Sequence, residues 1–465
     1  MRRLNGLIFA VAAGCLAASP LLAAERPPNI LVILADDLGY SDVGFQGCKD
    51  IPTPQLDALA AAGIRCTSGY VSHSFCSPTR AGLLTGRYQQ RFGHENNPAW
   101  LPDDPKIGLP LSQHTLPEAL KAAGYATGCV GKWHLGAHPS FHPNRRGFDE
   151  YYGMLGGGHV YFPELKGGVE YTIPMNRNGR PEPLRGYLTE ELGREAAAFV
   201  ERRQGSPWFL YLAFNAPHTP LQATDALAAR VAGIADETRR KYAALVVGMD
   251  DAVGQVRQAL ANSGQEENTL VFFFSDNGGP TDVAHTDNAP LRGQKGALWE
   301  GGIRVPFVIS WPAQLAKGAV FDQPVSSLDV FATAIALANA KPPAGQPLDG
   351  VDLMPALLDP KQPLPRERMF WRMGGGQSLA VRQGKYKLLQ QQSGRVERLF
   401  DLEADISEQT DLAAKLPEVA SRLRSALAAW NAELIPPLFE SPPNAPAKKP
   451  QPAKPVTPPA NRPSS

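Results

Sequence analysis

The sequence predicts an α/β fold: one large, mostly parallel sheet sandwiched by helices, followed by a smaller C-terminal α+β subdomain. Three observations carry that expectation. Continuous apolar runs of strand length recur at Asn29–Ala35, Trp208–Phe214 and Thr269–Phe274, as in parallel strands buried on both faces. Helical patterns alternate with these runs, which is the signature of a sheet covered on both sides. Near residue 365 the texture shifts to a hairpin pattern at Ser378–Leu389, turning at Gln383-Gly384, with one helix after it.

Taken in order, the chain of 465 residues opens with Arg2 and Arg3, an apolar run from Leu7 to Leu16 and small residues through Ala23-Ala24. This reads as an export signal cleaved near Ala24, with Cys15 as an alternative lipoprotein site. The apolar run is too short for a permanent span, and no later segment reads as a transmembrane helix. After the strand at Asn29–Ala35, Thr53-Pro54 opens a helix carrying Leu56 and Leu59 that stops at Gly63. Thr115 with Glu118 forms a capping box for a helix ending at Gly124. A short strand at 127–130 leads into Lys132 and His134, and Trp208–Phe214 leads into His218. A long helix is expected over 241–261, then the strand at 269–274, another strand at 305–311 and a helix over 326–339. The domain organisation follows as a signal at 1–24, a catalytic unit at 28–364, a subdomain at 365–435 and a proline-rich, disordered tail at 436–465.

Composition narrows the function. The net charge of +1 offers no case for nucleic acid or an anionic membrane surface, so any affinity for anions must come from local clusters. Cys48, Cys66, Cys76 and Cys129 are too few for a disulfide scaffold, although a Cys48–Cys66 bridge is compatible with export; otherwise Cys48, Cys66 and Cys129 read as small buried apolar residues.

The unusual polar residues fall at the carboxyl ends of expected strands: Asp36-Asp37, Lys132 and His134, His218, and Asp276-Asn277. In an open parallel sheet these ends share one edge, and ligands bind there. Three carboxylates and an amide oxygen at one edge repel one another unless a cation intervenes, and hard oxygen ligands select calcium or magnesium. Each pair alone has a plainer reading as turn or helix-cap residues. Lys132, His134, His218, Lys295 and Arg80 are candidate donors to an anion. Cys76 precedes Pro78, whose fixed φ suits a first helical turn, so residue 76 stands at a helix start with Arg80 one turn on. That spacing alone equally suits a structural cysteine before an ordinary helix.

Residues 76–87 match C-x-P-S-R-x-x-L-x-T-G-R with Thr79 in place of serine, and Gly124-Tyr125 through Lys132 and His134 match G-Y-x-T-x-x-x-G-K-x-H. With the Asp36-Asp37 and Asp276-Asn277 segments, Lys295-Gly-x-x-Trp-Glu-Gly-Gly302 and Phe400-Asp-Leu402, the chain resembles the formylglycine-dependent sulfatase family of the alkaline-phosphatase superfamily over roughly 28–435. The resemblance implies that Cys76 is oxidised by the host's formylglycine-generating machinery to Cα-formylglycine. One hydroxyl of its gem-diol then attacks sulfur to give a covalent sulfo-enzyme, and the other drives elimination of sulfate. It implies calcium, or magnesium in its place, on Asp36, Asp37, Asp276, Asn277 and an oxygen of residue 76. Arg80 would orient residue 76, Lys132 and Lys295 would hold sulfate oxygens, His134 would assist the second hydroxyl and His218 would protonate the leaving oxygen.

His159, in Gly156-Gly-Gly-His159, is a candidate substrate contact, with an ordinary flexible loop as the alternative; Trp100 and Asn288 are further candidates for the mouth of the site. The expected activity is a periplasmic or secreted sulfuric ester hydrolase acting on a sulfated small molecule, glycan or polysaccharide, or on aryl sulfates. A phosphoester or phosphonate hydrolase of the same superfamily, and a sulfoglycan-binding pseudoenzyme, are the alternatives.

Overall fold

The computed structural model describes residues 26–440. The export signal at 1–24, the Cys15 alternative and residues 441–465 of the proline-rich tail lie outside the described residues.

The main sheet has ten strands: β1 (Asn29–Ala35), β2 (Ile64–Cys66), β4 (Ala126–Lys132), β5 (Glu150–Met154), β6 (Met175–Arg177), β7 (Arg180–Glu182), β8 (Trp208–Ala213), β9 (Thr269–Ser275), β10 (Phe307–Ser310) and β11 (Ala319–Phe321). Their spatial order is β11-β2-β10-β9-β1-β8-β4-β5-β6-β7. The centre, β9-β1-β8-β4-β5, is parallel. β10 runs antiparallel to both its neighbours, β9 and β2, and the β5-β6-β7 edge is antiparallel as well. Two further pairs of residues, β3 (Gly69–Tyr70) and β12 (Val325–Ser326), form a small parallel ladder of their own. The sheet is therefore mostly parallel, as expected, with antiparallel pairs toward its flanks. An apolar run shows that a strand is buried but carries no sign of its direction.

Helices cover both faces. Leu31 and Ile33 of β1 point into a core shared with α1 (Pro54–Ala61), α4 (Leu188–Arg202), α5 (Asp225–Ala229) and α6 (Glu237–Asn262). Ile30, Val32 and Leu34 point into the opposite core, made with α2 (Cys76–Thr85), α3 (Leu116–Ala122) and the helix Asp329–Leu337. That alternation is the two-residue period of a strand, here apolar on both sides because neither face meets water. At the start of α3 the Glu118 carboxylate accepts from Thr115 N at 2.8 Å, closing the capping box.

After residue 365 the chain forms a four-stranded antiparallel meander, β13 (Arg368–Met373), β14 (Ser378–Gln383), β15 (Tyr386–Gln391) and β16 (Val396–Asp401). One face of it carries the helix Pro417–Ala432 through Leu423, Leu427 and Trp430. The other face packs Trp371, Leu389 and Phe400 against Leu298, Trp299 and Ile303 of the main unit. Cys48 and Cys66 are free thiols rather than a bridge. Cys48 is only half-buried, its Sγ 3.1 Å from the Asp50 carboxylate, so it is not the core residue expected of it.

Candidate active site

β1 and β9 are hydrogen-bonded parallel neighbours, with Ala35 opposite Ser275. Their chain ends therefore emerge side by side and set Asp36-Asp37 against Asp276-Asn277, all four fully buried. Asp276 N donates to Ala35 O at 3.0 Å, and Asp37 N donates to Asp276 Oδ1 at 3.3 Å. Asp37 adopts φ 67°, left-handed backbone that aspartate tolerates better than most residues. On the other side of β1 lies β8, which leads into His218, and beyond it β4, whose last residue is Lys132. Lys132 thus belongs to the strand end itself rather than to the loop after it. His134 follows at φ 58°.

α2 meets this edge with its first residue, Cys76, and is buried along its whole length. Cys76 Sγ lies 3.5 Å from Asp36 Oδ1. Arg80, one turn on, donates from Nε and Nη2 to Asp276 Oδ2 at 3.0 and 2.6 Å and from Nη1 to Lys132 O at 3.1 Å. Lys132 Nζ is paired with Asp36, and Lys295 Nζ with both oxygens of Asp37 at 2.7 and 2.8 Å. His218 Nε2 is 3.6 Å from Asp37 Oδ2, while its Nδ1 is 2.6 Å from Thr219 O. That carbonyl fixes the Nδ1–H tautomer and leaves Nε2 toward the cluster. Asp36, Asp37, Cys76 and His218 each present one ligand atom within 4.8 Å of one another. The structure brings Asp36, Asp37, Cys76, Arg80, Lys132, His218, Asp276, Asn277 and Lys295 together, with His134 close behind Lys132, and leaves His159 outside.

His159 is held elsewhere. Its Nδ1 and Nε2 lie 2.7 and 2.8 Å from the carbonyls of Val160 and Ile173, so neither nitrogen is open to a ligand. Its main chain exchanges hydrogen bonds with the Asn215 side chain at 3.1 Å, which braces the loop carrying His218. Asn288 is likewise buried, holding Gly279 N and O at 3.1 and 2.8 Å. Sequence reasoning missed Tyr171, whose ring sits 6.4 Å from that of His218, and His94, whose Nε2 meets Ser77 Oγ at 2.7 Å beside Cys76. Neither lies in a patterned segment, so no local signal pointed to them.

The electrostatics follow from burial and pairing. Burial pushes the Cys76 thiol up to about 12, against the pull of Lys132 and Lys295, so it is neutral at pH 7. Burial also lifts Asp276, reinforced by Asp36, to about 6 despite Arg80. Asp37 is the opposite case: burial works upward, but Lys295 and then His218 hold it well below the usual carboxylate range. Burial drives His134 well below its ordinary value, with Lys132 and Arg80 adding to the effect, and takes His218 down to about 3 against Asp37. Three carboxylates, Asp36, Asp37 and Asp276, thus face three cations, Arg80, Lys132 and Lys295.

A divalent cation fits these residues. Asn277 donates through Nδ2 to Asp37 Oδ1 at 2.7 Å, yet its own Oδ1 is buried without a hydrogen-bond partner. An orphaned amide oxygen among three carboxylates is a donor set for a hard cation. Residue side chains alone balance at three charges against three, so such an ion would leave the pocket net positive and suited to an anion.

A sulfatase family profile matches residues 28–340, and a profile for the C-terminal part of N-sulphoglucosamine sulphohydrolase matches residues 294–433. N-acetylgalactosamine-6-sulfatase of Mus musculus is 37% identical over 404 residues, spanning 82% of this chain and 74% of the relative. Arylsulfatase A of Homo sapiens is 38% identical over 412 residues, spanning 82% and 77%. Among solved structures, Ps i-CgsB in complex with k-i-k-neocarrahexaose superposes with a TM-score of 0.85 at 39% identity, covering 89% of this chain and 95% of that one.

Proposed function

The chain belongs to the sulfatase family, a family of sulfuric ester hydrolases, and we propose that it removes sulfate from a sulfated carbohydrate, with aryl sulfates as generic substrates, using a Cα-formylglycine made from Cys76. The observation that carries this reading is the meeting of Arg80, Lys132 and Lys295 with Asp36, Asp37 and Asp276 around the first residue of α2. A carbohydrate substrate is supported by the names of two relatives, an N-acetylgalactosamine-6-sulfatase and a protein solved with k-i-k-neocarrahexaose.

Asp36, Asp37, Asp276 and Asn277, with an oxygen of the modified residue 76, would hold calcium or magnesium, which supplies Lewis acidity at a sulfate oxygen. The modified residue would supply a hydrated aldehyde, with one hydroxyl as a nucleophile toward sulfur and a second through which sulfate could leave without attack by water. The chain's other residues do the rest. Arg80 ties Asp276 to the Lys132 carbonyl and so fixes two sides of the pocket. Lys132 and Lys295 bind sulfate oxygens, each already steadied by a carboxylate. His134, kept neutral by burial, would accept the proton of the second hydroxyl. His218 directs Nε2 at the cluster to protonate the leaving oxygen. Burial, with Lys295 and Lys132 adding to it, takes His218 down to about 3 against Asp37. An anionic ester beside it works in the opposite direction.

The export signal read at 1–24 supports a periplasmic or secreted enzyme, and among the described residues no helix is long and apolar enough to cross a membrane. We further read 28–364 as the catalytic unit and 365–435 as its subdomain. The test has two arms. Paired nitrophenyl sulfate and phosphate should show turnover of the sulfate, and a phosphatase-only result would overturn the substrate class. Mass analysis of the tryptic peptide 66–80, from a host with the oxidising machinery, should show residue 76 as the aldehyde. A peptide found wholly as cysteine would overturn the mechanism.

A further inference from the structure

The segment that carries Lys295 has little regular structure of its own. It closes on itself where Gly301 N donates to Arg292 O at 2.7 Å, and Arg292 lies over the Trp299 ring at 3.9 Å. Lys295 itself has only a 3.5 Å main-chain contact, to Gly279 O. Beside it, Gly296 N donates to Ser74 O at 2.9 Å and Gln294 Oε1 accepts from Thr281 N at 2.7 Å; at the far end of the segment Glu300 enters a charge cluster shared with the C-terminal meander. Lys387 of β15 sits 2.8 Å from Glu300 Oε1 and 2.8 Å from Glu408 Oε1, and all three side chains are fully buried. Glu408 Oε2 accepts from Glu300 N at 2.7 Å, and Glu408 O accepts from Arg292 Nη1 at 2.9 Å. Glu408 thus holds both ends of the Arg292–Glu300 loop, one through its side chain and one through its carbonyl. It does so from φ 53°, left-handed backbone that glutamate seldom adopts. Glu300 is further held by Tyr70 and by Arg304, the latter at 3.3 Å. Immediately beyond, Gly302 O accepts from Gly278 N at 3.1 Å, next to Asn277.

Ordinary interdomain packing does not need this. Trp299, Leu298 and Ile303 already bury against Trp371, Leu389 and Phe400. Two carboxylates and a lysine taken out of water cost more than apolar residues of the same size would, and are retained where they specify an arrangement.

We propose that Lys387 and Glu408 are positioning residues of the active site, setting Lys295 through Glu300 from the C-terminal subdomain. The proposal rests on the reading of Lys295 as a sulfate-binding group. Substitution of residues that orient such groups costs ~10–100-fold in activity.

The test uses Lys387→Met and Glu408→Ala in the full chain, with Glu408→Gln as the milder form that keeps shape and an acceptor. Hydrogen exchange should accelerate in peptides covering 292–304 and stay unchanged in those covering 126–134. In kinetics on nitrophenyl sulfate, adding Lys387→Met to Lys295→Ala should cost no more than about twofold, whereas adding it to Lys132→Ala should multiply the two losses. Glu408→Gln should recover most of what Glu408→Ala loses. Unchanged exchange over 292–304, or equal multiplicative losses with both lysine backgrounds, overturns the proposal. If Lys387→Met does not fold, the same cycle is read with Glu408→Ala. A wild-type enzyme inert on sulfate esters refutes the sulfatase reading instead, and leaves the exchange comparison to decide whether the clamp sets the loop.

Discussion

Arg80→Lys isolates the geometry of the site from its charge. The wild-type guanidinium is fully buried and makes three directed bonds, two to Asp276 Oδ2 and one to the Lys132 carbonyl, with Asp36 3.7 Å from Nη2. Lysine retains the positive charge but not the planar fork, and a single ammonium at the end of a flexible stem keeps one of those contacts. Two charge-assisted bonds are lost at about 1.5 kcal/mol each, so about 3 kcal/mol in all. Carried into the transition state, that is on the order of 100-fold in kcat/KM. Because Arg80 is bonded to Asp276, a proposed cation ligand, cation affinity should weaken along with turnover. The assay is kcat/KM on nitrophenyl sulfate at several calcium concentrations, with calorimetric titration of the cation. A loss smaller than about fivefold, the scale of an exposed ion pair, would refute the claim that the fork organises the site.

Three further outcomes are expected. Asn277→Leu removes the orphaned amide oxygen and the 2.7 Å bond to Asp37, and calorimetry should show divalent-cation affinity down by at least about tenfold. Chelation of the wild-type enzyme should abolish turnover of nitrophenyl sulfate, with recovery on addition of calcium or magnesium; full activity in excess chelator would rule out the proposed cation. Acid should destabilise the fold through His94 and His73, both fully buried and lowered by that burial from 6.5 to about 4 and about 3. Both are neutral in the folded protein at pH 7, and the unfolded chain takes up protons first. Their contribution to stability is therefore complete above pH 6.5 and is lost as pH drops toward 4, about 3 kcal/mol for His94 alone, while Asp276, raised to about 6, works in the opposite direction over the same range. Urea melts of the wild type and His94→Gln at each pH isolate the histidine part, and the stability gap between them should change as pH falls from 6.5 to 4; a constant gap would refute it.

What the sequence made legible follows from how each feature is encoded. β1, β8 and β9 are buried on both faces, so their apolar runs are continuous, and their short length with β-branched and aromatic residues marks them as strands. Their carboxyl ends then predict one shared edge, and the structure does bring Asp36, Asp37, Asp276 and Asn277 together there. The three-residue strands β2, β6, β7 and β11 are too short to show a period, and α4, whose polar face carries Glu190, Glu195 and Glu201, passed unread between loops. His159 shows the limit at single residues. Its position beside three glycines suggested a ligand contact, while the carbonyls that occupy both its nitrogens come from Val160 and Ile173. Lys387 falls inside the expected hairpin Ser378–Leu389, where nothing local signals its partners, because Glu300 and Glu408 are distant in sequence. Only the Trp299-Glu300-Gly-Gly302 and Phe400-Asp-Leu402 segments hinted that those regions mattered.

Position 76 itself supplies the remaining argument. Its neighbours are matched to oxygen: a carboxylate at 3.5 Å, an orphaned amide oxygen nearby in the same cluster, and lysines whose charge favours an anion. A thiol held at about 12 serves none of them, since it stays protonated at pH 7 and its sulfur is a poor ligand for a hard cation. A hydrated aldehyde suits each, having one oxygen to offer a cation and two hydroxyls to donate to carboxylates. A cysteine selected for its own chemistry would sit where its pKa falls, beside cations that outweigh burial. Here Lys132 and Lys295 are spent on Asp36 and Asp37, and burial wins. The mismatch between the encoded side chain and its surroundings is thus the feature that supports its conversion. Cys76→Ser should accordingly leave the cluster folded, with the melting temperature close to wild type, while activity disappears unless the host converts the serine as well; substantial turnover by a variant whose residue 76 is shown by mass to be an unmodified serine would refute this reasoning.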